Sequence, residues 1–427
     1  MVSVKDEVVM KLRLEVLSPT HIGNGNKLSR LDYGVRNNNL YVFNLQKVME
    51  GMSERNLNKL ISLIESFDKS SGSQNFGDIL SQEFRLTKWE DLCNYIVPIV
   101  EHENRIRDVN ENIKTGNQVY IPGSSLKGAI RTAITYCLLR DKGYKFEIGQ
   151  EEIELRSNKR QKISYLTLIK PDGNAVEGLE KKRERKRKPS VDVIETEINK
   201  ELFGGIGEKD IFKIFNISDS AMENIEDSLE VRKVYVANTS SFVKIRRGRE
   251  IHMHPEFYEC IKPKVIFSDI HIKLRNKLME TDQMKRYKET LEYVKNWKNC
   301  VYEFTKDLLE AEIKFWQSEK VKGNISKAYG RSPHKYIVEK FKKEKVIEQL
   351  ENIKNLNTPE NPVIRLGKLA GYLSHSVGLL LARNGYDIGD EVAKIIFPFQ
   401  HSSGPHPFTR RLTLDNQTLG WCKIIQG

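Results

Sequence analysis

The stretch "IPGSSLKGAIRTA", residues 121–133, joins a short apolar run, "NQVYIP", to a segment with helical spacing. Pro122-Gly123 is turn chemistry, and Ser124 or Ser125 can cap a helix through the side-chain oxygen. Beyond the turn, Leu126, Ala129, Ile130, Ala133, Ile134, Cys137 and Leu138 recur at three- and four-residue intervals and define a buried stripe. Lys127 and Arg131, four apart, share the other face. A cation in the first turn of a helix is disfavoured by roughly 0.3–1 kcal/mol, because the free amides there carry partial positive charge. Something anionic must offset it. A glycine-serine turn followed by two cations suits a phosphate, which makes Ser124, Ser125, Lys127 and Arg131 candidate nucleic-acid ligands.

Spelling excludes other phosphate motifs. A nucleoside-triphosphate loop needs its lysine after the second glycine, whereas "GSSLKG" places it before. In "FGGIGEKD", residues 203–210, Gly205 and Gly207 are followed by Asp210 where a dinucleotide fingerprint needs a third glycine.

The chain has 427 residues, enough for two or three cores, and its 70 Lys plus Arg against 58 Asp plus Glu give a formal charge of +12. That excess favours an anionic partner, nucleic acid foremost. No apolar run reaches the 18 or so residues that span a bilayer, and "MVSVKDEVVMKLRLEV" has no signal-peptide core, so a cytoplasmic protein without a membrane partner is expected. Cys93, Cys137, Cys260, Cys300 and Cys422 are scattered and odd in number, which argues for reduced, buried thiols.

Residues 10–17, "MKLRLEVL", alternate strictly and read as a half-buried strand. The loop "SPTHIGNGN" follows. "RLDYGVR" and "LYVF" then flank "NNN", whose asparagines tolerate the positive φ of a tight hairpin turn. Asn44 and Ser53 look like caps for helices between 45 and 67. Residues 156–188 are crowded with cations and nearly lack apolar residues towards their end, so they read as solvated. Strands resume in "VRKVYVANTSSFVKIRRGREIHMHPEFYECIKPKVIFSDIHIKL", where Ile266, Ile270, Ile272 and Leu274 alternate. A helical block occupies 281–354, another helix is expected over 363–383, and "TRRLTLDNQTLGWCKII" reads as a closing hairpin.

Among nine histidines, only His252/His254 and His401/His406 are close pairs, and neither has carboxylates or cysteines at ligand spacing, so no metal or cofactor is expected. No serine or cysteine nucleophile has an assignable base. His21, in a loop with Gly23 and Gly25, could contact a nucleotide or serve as general base in metal-free RNA cleavage. Asp32 could orient a hydrated metal, or simply hold its hairpin. Arg246, Arg247, Arg365, Lys368, Arg410 and Arg411 recur in loops between strands, and arginine's planar fork suits phosphate. If the sheets lie side by side, these cations could line one groove.

Several of these stretches together resemble the RAMP superfamily of CRISPR-associated proteins. "LRLEVLSPTHIGNGN" is similar to its first strand and loop, "YIPGSSLKGAIRTAI" to its strand-to-helix motif, "LFGGIGEKDIFKIFNISDSA" to its "LFG" and "SDS" segment, and "TRRLTLDNQTLGWCKI" to its closing glycine hairpin. "FYECIKPKVIF", "RLGKLAGYLSHSVG" and "LGWCKI" narrow the resemblance to the fifth-subunit family of type III-A (Csm) effector complexes. The resemblance implies an α+β fold of tandem ferredoxin-like, RRM-like domains with a helical insertion. The expected division is 1–155, a basic flexible segment 156–190, and 191–427 containing a helical block at about 281–383.

For function, the resemblance implies a non-catalytic RNA-binding subunit. It would bind the 3′ part of the CRISPR RNA, cap the backbone and assist crRNA maturation. Its partners would be CRISPR RNA, neighbouring Csm backbone subunits, target RNA and a recruited host nuclease. The alternative is a RAMP-type endoribonuclease using His21 or Asp32. A third reading is an assembly cap that barely touches RNA.

Overall fold

The alternation in residues 10–17 is realised as the strand Glu7–Val16, with Leu12, Leu14 and Val16 buried and Lys11 and Arg13 exposed. The computed structural model describes residues 7–67, 74–101, 106, 108–154, 160–176, 191–205, 210–238, 245–246, 249–250, 256–275, 281–319, 342–382, 385–396, 406–407 and 409–427. Within them the fold is α+β, with two five-stranded sheets and several smaller ones.

The first sheet runs Phe215–Ile217, Ile266–Arg275, Glu7–Val16, Trp421–Gln426, Val363–Arg365, antiparallel throughout. The second runs Thr409–Thr413, Leu229–Asn238, Glu256–Ile261, Val109–Asn112, Gly23–Leu28, with one parallel contact between Glu256–Ile261 and Val109–Asn112. Both sheets take strands from 1–155 and from 191–427, so a cut between those stretches would leave each sheet with unpaired edges. One large apolar cluster, from Leu12 to Ile424, underlies them. A second, smaller core gathers Tyr41, Phe43, Val48, Phe76 and Trp89 beside the three-stranded sheet Tyr33–Arg36, Asn39–Phe43, Cys93–Pro98.

The asparagine turn is as expected: Asn37 and Asn38 have φ of 50° and 57°, and Asn44 caps the helix Leu45–Met49 by accepting from the amides of Gln46 and Lys47. The helical block is present in its described parts as Asp282–Lys285, Lys288–Lys295, Trp297–Gln317 and Lys343–Leu356, while residues 320–341 within it lie outside the described residues. Trp297–Gln317 packs on Gly123–Asp141, where the Tyr136 hydroxyl donates to Asp307 at 2.7 Å.

Four expectations fail for identifiable reasons. Ile266 is exposed and Phe267 buried, because the register against Glu7–Val16 slips between Leu12 and Leu14, with Asp269 at φ 57°. An extra residue opposite Arg13 inverts the alternation on one side of the bulge. The helix expected over 363–383 is a strand, Val363–Arg365, followed by a glycine-bent turn, the short helix Tyr372–His375 and a 3-10 turn, Val377–Leu381. The closing hairpin is not one paired unit: Thr409–Thr413 joins the second sheet, whereas Trp421–Gln426 lies inside the first. Finally, part of the segment expected to be flexible is ordered, since Arg160–Ile169 pairs with Lys145–Glu154 over ten residues. Residues 156–159 and 177–190, which complete that segment, lie outside the described residues.

Candidate nucleic-acid interface

The anion that offsets the cations at the start of Gly123–Asp141 is supplied by the chain itself. Asp219 Oδ1 accepts from the Gly123 amide at 2.7 Å, satisfying a donor that no residue of the helix can reach. Ser220 completes the joint: its Oγ accepts from the Ile121 amide at 2.9 Å and its own amide donates to the Ile121 carbonyl at 3.1 Å. Neither Ser124 nor Ser125 caps the helix as expected. The helix begins at Gly123, leaving Ser124 exposed and Ser125 half-buried. Glycine is required there because a Cβ on Gly123 would stand 2.4 Å from the Ile217 carbonyl oxygen.

Arg131 is likewise held inside the chain. Its Nη1 meets Asp210 Oδ2 at 2.6 Å, its Nε donates to Asn199 Oδ1 at 3.1 Å, and the guanidinium lies 4.5 Å from the Phe203 ring centroid. Lys127 stands over Phe212, with its pKa lowered by burial against the opposing pull of Asp210. The "LFG" and "SDS" stretches are therefore the structural counterpart of "YIPGSSLKGAIR".

Residues 18–22, the first part of the loop expected over "SPTHIGNGN", are all buried. A buried loop must have its backbone groups paired. Here the Ser18 amide donates to the Trp421 carbonyl, Thr20 exchanges amide hydrogen bonds with Ile261, and the Ile22 amide donates to Asn112 Oδ1. The loop thus passes from the first sheet to the second.

His21 is 1% exposed. Its Nδ1 donates to the Glu259 carbonyl at 2.8 Å, its ring meets Tyr258 edge-on, and burial lowers its pKa to about 4, against the hydrogen bond to Glu259. The Glu259 carboxylate, itself 0% exposed, accepts from Tyr95 OH at 2.7 Å and from the Asn112 amide at 2.9 Å, and pairs with Lys114. Across the loop, the Lys368 amide donates to the His21 carbonyl at 3.0 Å. Gly367, at φ 86°, allows this approach, since a Cβ there would stand 2.2 Å from that oxygen.

Asp32 Oδ2 accepts from both the amide and the hydroxyl of Ser29, at 2.6 and 2.7 Å, so it closes its own turn. Among the described residues no group of three or more His, Cys, Asp or Glu is placed to hold a metal ion.

The remaining cations divide. Arg365 and Arg410 are 6% and 7% exposed and lie in the interior, not on a groove. Arg365 Nε donates to the Leu419 carbonyl at 2.9 Å above the Trp421 ring, and Arg410 Nε pairs with buried Glu312 at 2.8 Å. Lys368 and Arg411 are exposed. Arg246 lies in the short strand Ile245–Arg246, while Arg247, the His252/His254 pair and His401 lie outside the described residues.

The accessible set is therefore the edge strand Gly23–Leu28, where Gly23, Asn24, Gly25, Asn26 and Lys27 are exposed, with Lys368 on the turn tied to His21. Lys27, Asp219 and Glu259 were not singled out in the sequence, and Asp210 was noted only as a departure from a dinucleotide fingerprint. Only the acidic "SDS" within a matching motif could have flagged one of them.

A model of the RAMP superfamily matches residues 13–353, more than half of the chain. A protein described as "CRISPR system Cms protein Csm5" from Methanocaldococcus jannaschii is 29% identical over 134 residues, covering 30% of this chain and 31% of its own length. One with the same description from Streptococcus thermophilus is 32% identical over 146 residues, covering 30% of this chain and 38% of its own. The matched stretch thus spans about a third of these curated relatives. Among solved structures, a chain of a Csm–crRNA–target RNA ternary complex of a type III-A CRISPR-Cas system is similar over 98% of this chain and 100% of that one, with a TM-score of 0.63 and 21% identity. The crystal structure of T. onnurineus Csm5 is similar over 96% and 99%, with a TM-score of 0.62 and 21% identity.

Proposed function

The chain belongs to the RAMP superfamily, and from that premise we propose that it is a non-catalytic RNA-binding subunit of a type III-A CRISPR effector complex. In this reading it holds the 3′ part of the CRISPR RNA, caps the row of backbone subunits and assists crRNA maturation in the cytoplasm through a recruited host nuclease. Target RNA is a further partner, reached through the guide. The two five-stranded sheets are the cores of tandem ferredoxin-like units that exchange strands between 1–155 and 191–427, with the helical block inserted in the second.

The observation that carries the proposal is the burial of His21 as a strut between two glycine-bearing loops. It leaves Gly23 to Lys27 exposed on the edge strand and Lys368 exposed on the turn tied to it. Exposed backbone, amide side chains and cations of this kind bind a sugar-phosphate chain through phosphate and shape, with little dependence on sequence. Ser124, Lys127 and Arg411 are further contacts in the proposal, and Arg131, Arg365 and Arg410 support the surface from beneath. Against the endoribonuclease, the imidazole is inward-facing and holds a carbonyl, while the Asp32 carboxylate is engaged by Ser29.

The test is incubation of the chain with end-labelled CRISPR-type RNA, with and without EDTA, followed by footprinting. We expect protection of the 3′ portion without cleavage. Cleavage abolished by His21→Ala or Asp32→Ala would establish the nuclease instead, and absence of any protection within the assembled complex would leave only the assembly cap.

A further inference from the structure

Lys368 stands on a turn whose own residues do little to fix it. Gly367 and Gly371 both have φ of 86°, a conformation that glycine enters and leaves at little cost. A cation on such a turn loses conformational freedom each time it grips an anion, and that loss weakens binding. The surrounding chain supplies the anchors. The Leu366 amide donates to the Gly420 carbonyl at 2.7 Å, and Leu369 is buried with Val234, Tyr258, Cys260 and Leu419. Between these two anchored leucines the Lys368 side chain is exposed, and it has no ion pair among the described residues.

The peptide unit that joins Gly367 to Lys368 is gripped at both of its polar ends. Its N–H donates to the His21 carbonyl at 3.0 Å, and its carbonyl oxygen accepts from Nε2 of His375 at 2.8 Å. A carbonyl can only accept, so Nε2 is the ring nitrogen that carries the proton. His375 is itself exposed, so core packing does not account for an imidazole there. It ends the short helix Tyr372–His375, which Ser374 ties back to the turn by donating from Oγ to the Ala370 carbonyl at 2.9 Å.

We propose that His375 is a positioning residue for the RNA surface: through the Gly367 carbonyl it fixes the Gly367–Lys368 peptide against His21, so that Lys368 is held ready for one phosphate. The inference rests on the RNA-binding reading above and deepens it, because it assigns the orientation of a contacting cation to a histidine that acts through the backbone.

The test is filter binding of the full chain to single-stranded RNA across a range of salt concentrations, at about pH 8, above the ordinary histidine range, so that the imidazole adds no charge of its own. Lys368→Gln should lower the slope of log affinity against log salt by about 0.7, the value of one phosphate contact on a single strand. His375→Leu, which cannot donate, should lower it by as much, and the double variant by no more than either alone, since the two residues act as one unit. His375→Gln, whose amide can donate in place of Nε2, should keep the natural slope. Hydrogen exchange of the 366–371 backbone, measured without RNA, should quicken in His375→Leu and not in His375→Gln, with circular dichroism spectra unchanged. A natural slope in His375→Leu, additive losses in the double variant, or equal losses in the leucine and glutamine variants would overturn the positioning role and leave the RNA-binding reading standing. An unchanged slope in Lys368→Gln would overturn both at this turn.

Discussion

His21 shows how far a residue's surroundings decide its role. In an exposed loop its imidazole would titrate near pH 6.5; here burial holds it near 4, opposed by the Glu259 hydrogen bond and assisted by Lys368 and Lys114. The folded chain binds this proton more weakly than the unfolded chain. The stabilisation is therefore complete above about pH 6.5 and is lost as pH falls towards 4, a difference on the order of 3 kcal/mol. His375, also depressed by burial, acts in the same sense. Urea-unfolding free energies at pH 7.5 and pH 5 should drop more steeply for the natural chain than for His21→Gln; equal drops would show that the imidazole takes up its proton as readily in the fold as in the unfolded chain. The same scale separates the arginines. Arg131 has Asp210 and Arg410 has Glu312, and no property of an isolated arginine tells a paired one from a free one.

At the scale of elements, the joints are made by residues far apart in sequence. The helix Gly123–Asp141 takes its cap from Asp219, so Asp219→Ala should cost about 0.5–2 kcal/mol, the usual value of a lost cap. Denaturant unfolding measures it directly, and Ser124→Ala, which caps nothing, should fall within about 0.5 kcal/mol of the natural chain. Gly367→Ala places a Cβ 2.2 Å from the His21 carbonyl at a positive φ. Strain of that kind costs on the order of 1–3 kcal/mol, read as a lowered Tm, and the turn carrying Lys368 should shift away from the 18–22 loop. Elements governed by their own period were legible: the first strand, the asparagine hairpin, the capped helices and the helical block. Those governed by a neighbour were not, as with the bulge at Asp269 and the strand Val363–Arg365, whose short apolar run has no period of its own.

At the scale of the whole molecule, the excess of positive charge matters only where it reaches solvent. Lys27→Glu combined with Lys368→Glu should weaken RNA binding and lower the slope of log affinity against log salt by about 1 to 2, because each phosphate contact releases roughly one counterion. Arg365→Gln should instead lower stability and leave the slope unchanged; filter binding between 50 and 200 mM salt separates the two, and an undiminished slope in the double variant would remove the surface role. By itself the sequence determined the alternation of the strands, the periodicity of the helices, the family and the candidate loops, because each rests on residue types at short, fixed spacing. Only the tertiary structure decided that His21 faces inward, that both sheets borrow strands from both ends of the chain, and which cations are neutralised within. Those outcomes depend on contacts between residues from 79 to 403 positions apart, such as Arg131 with Asp210 and Ser18 with Trp421, and spacing along a chain carries no information about closures of that length.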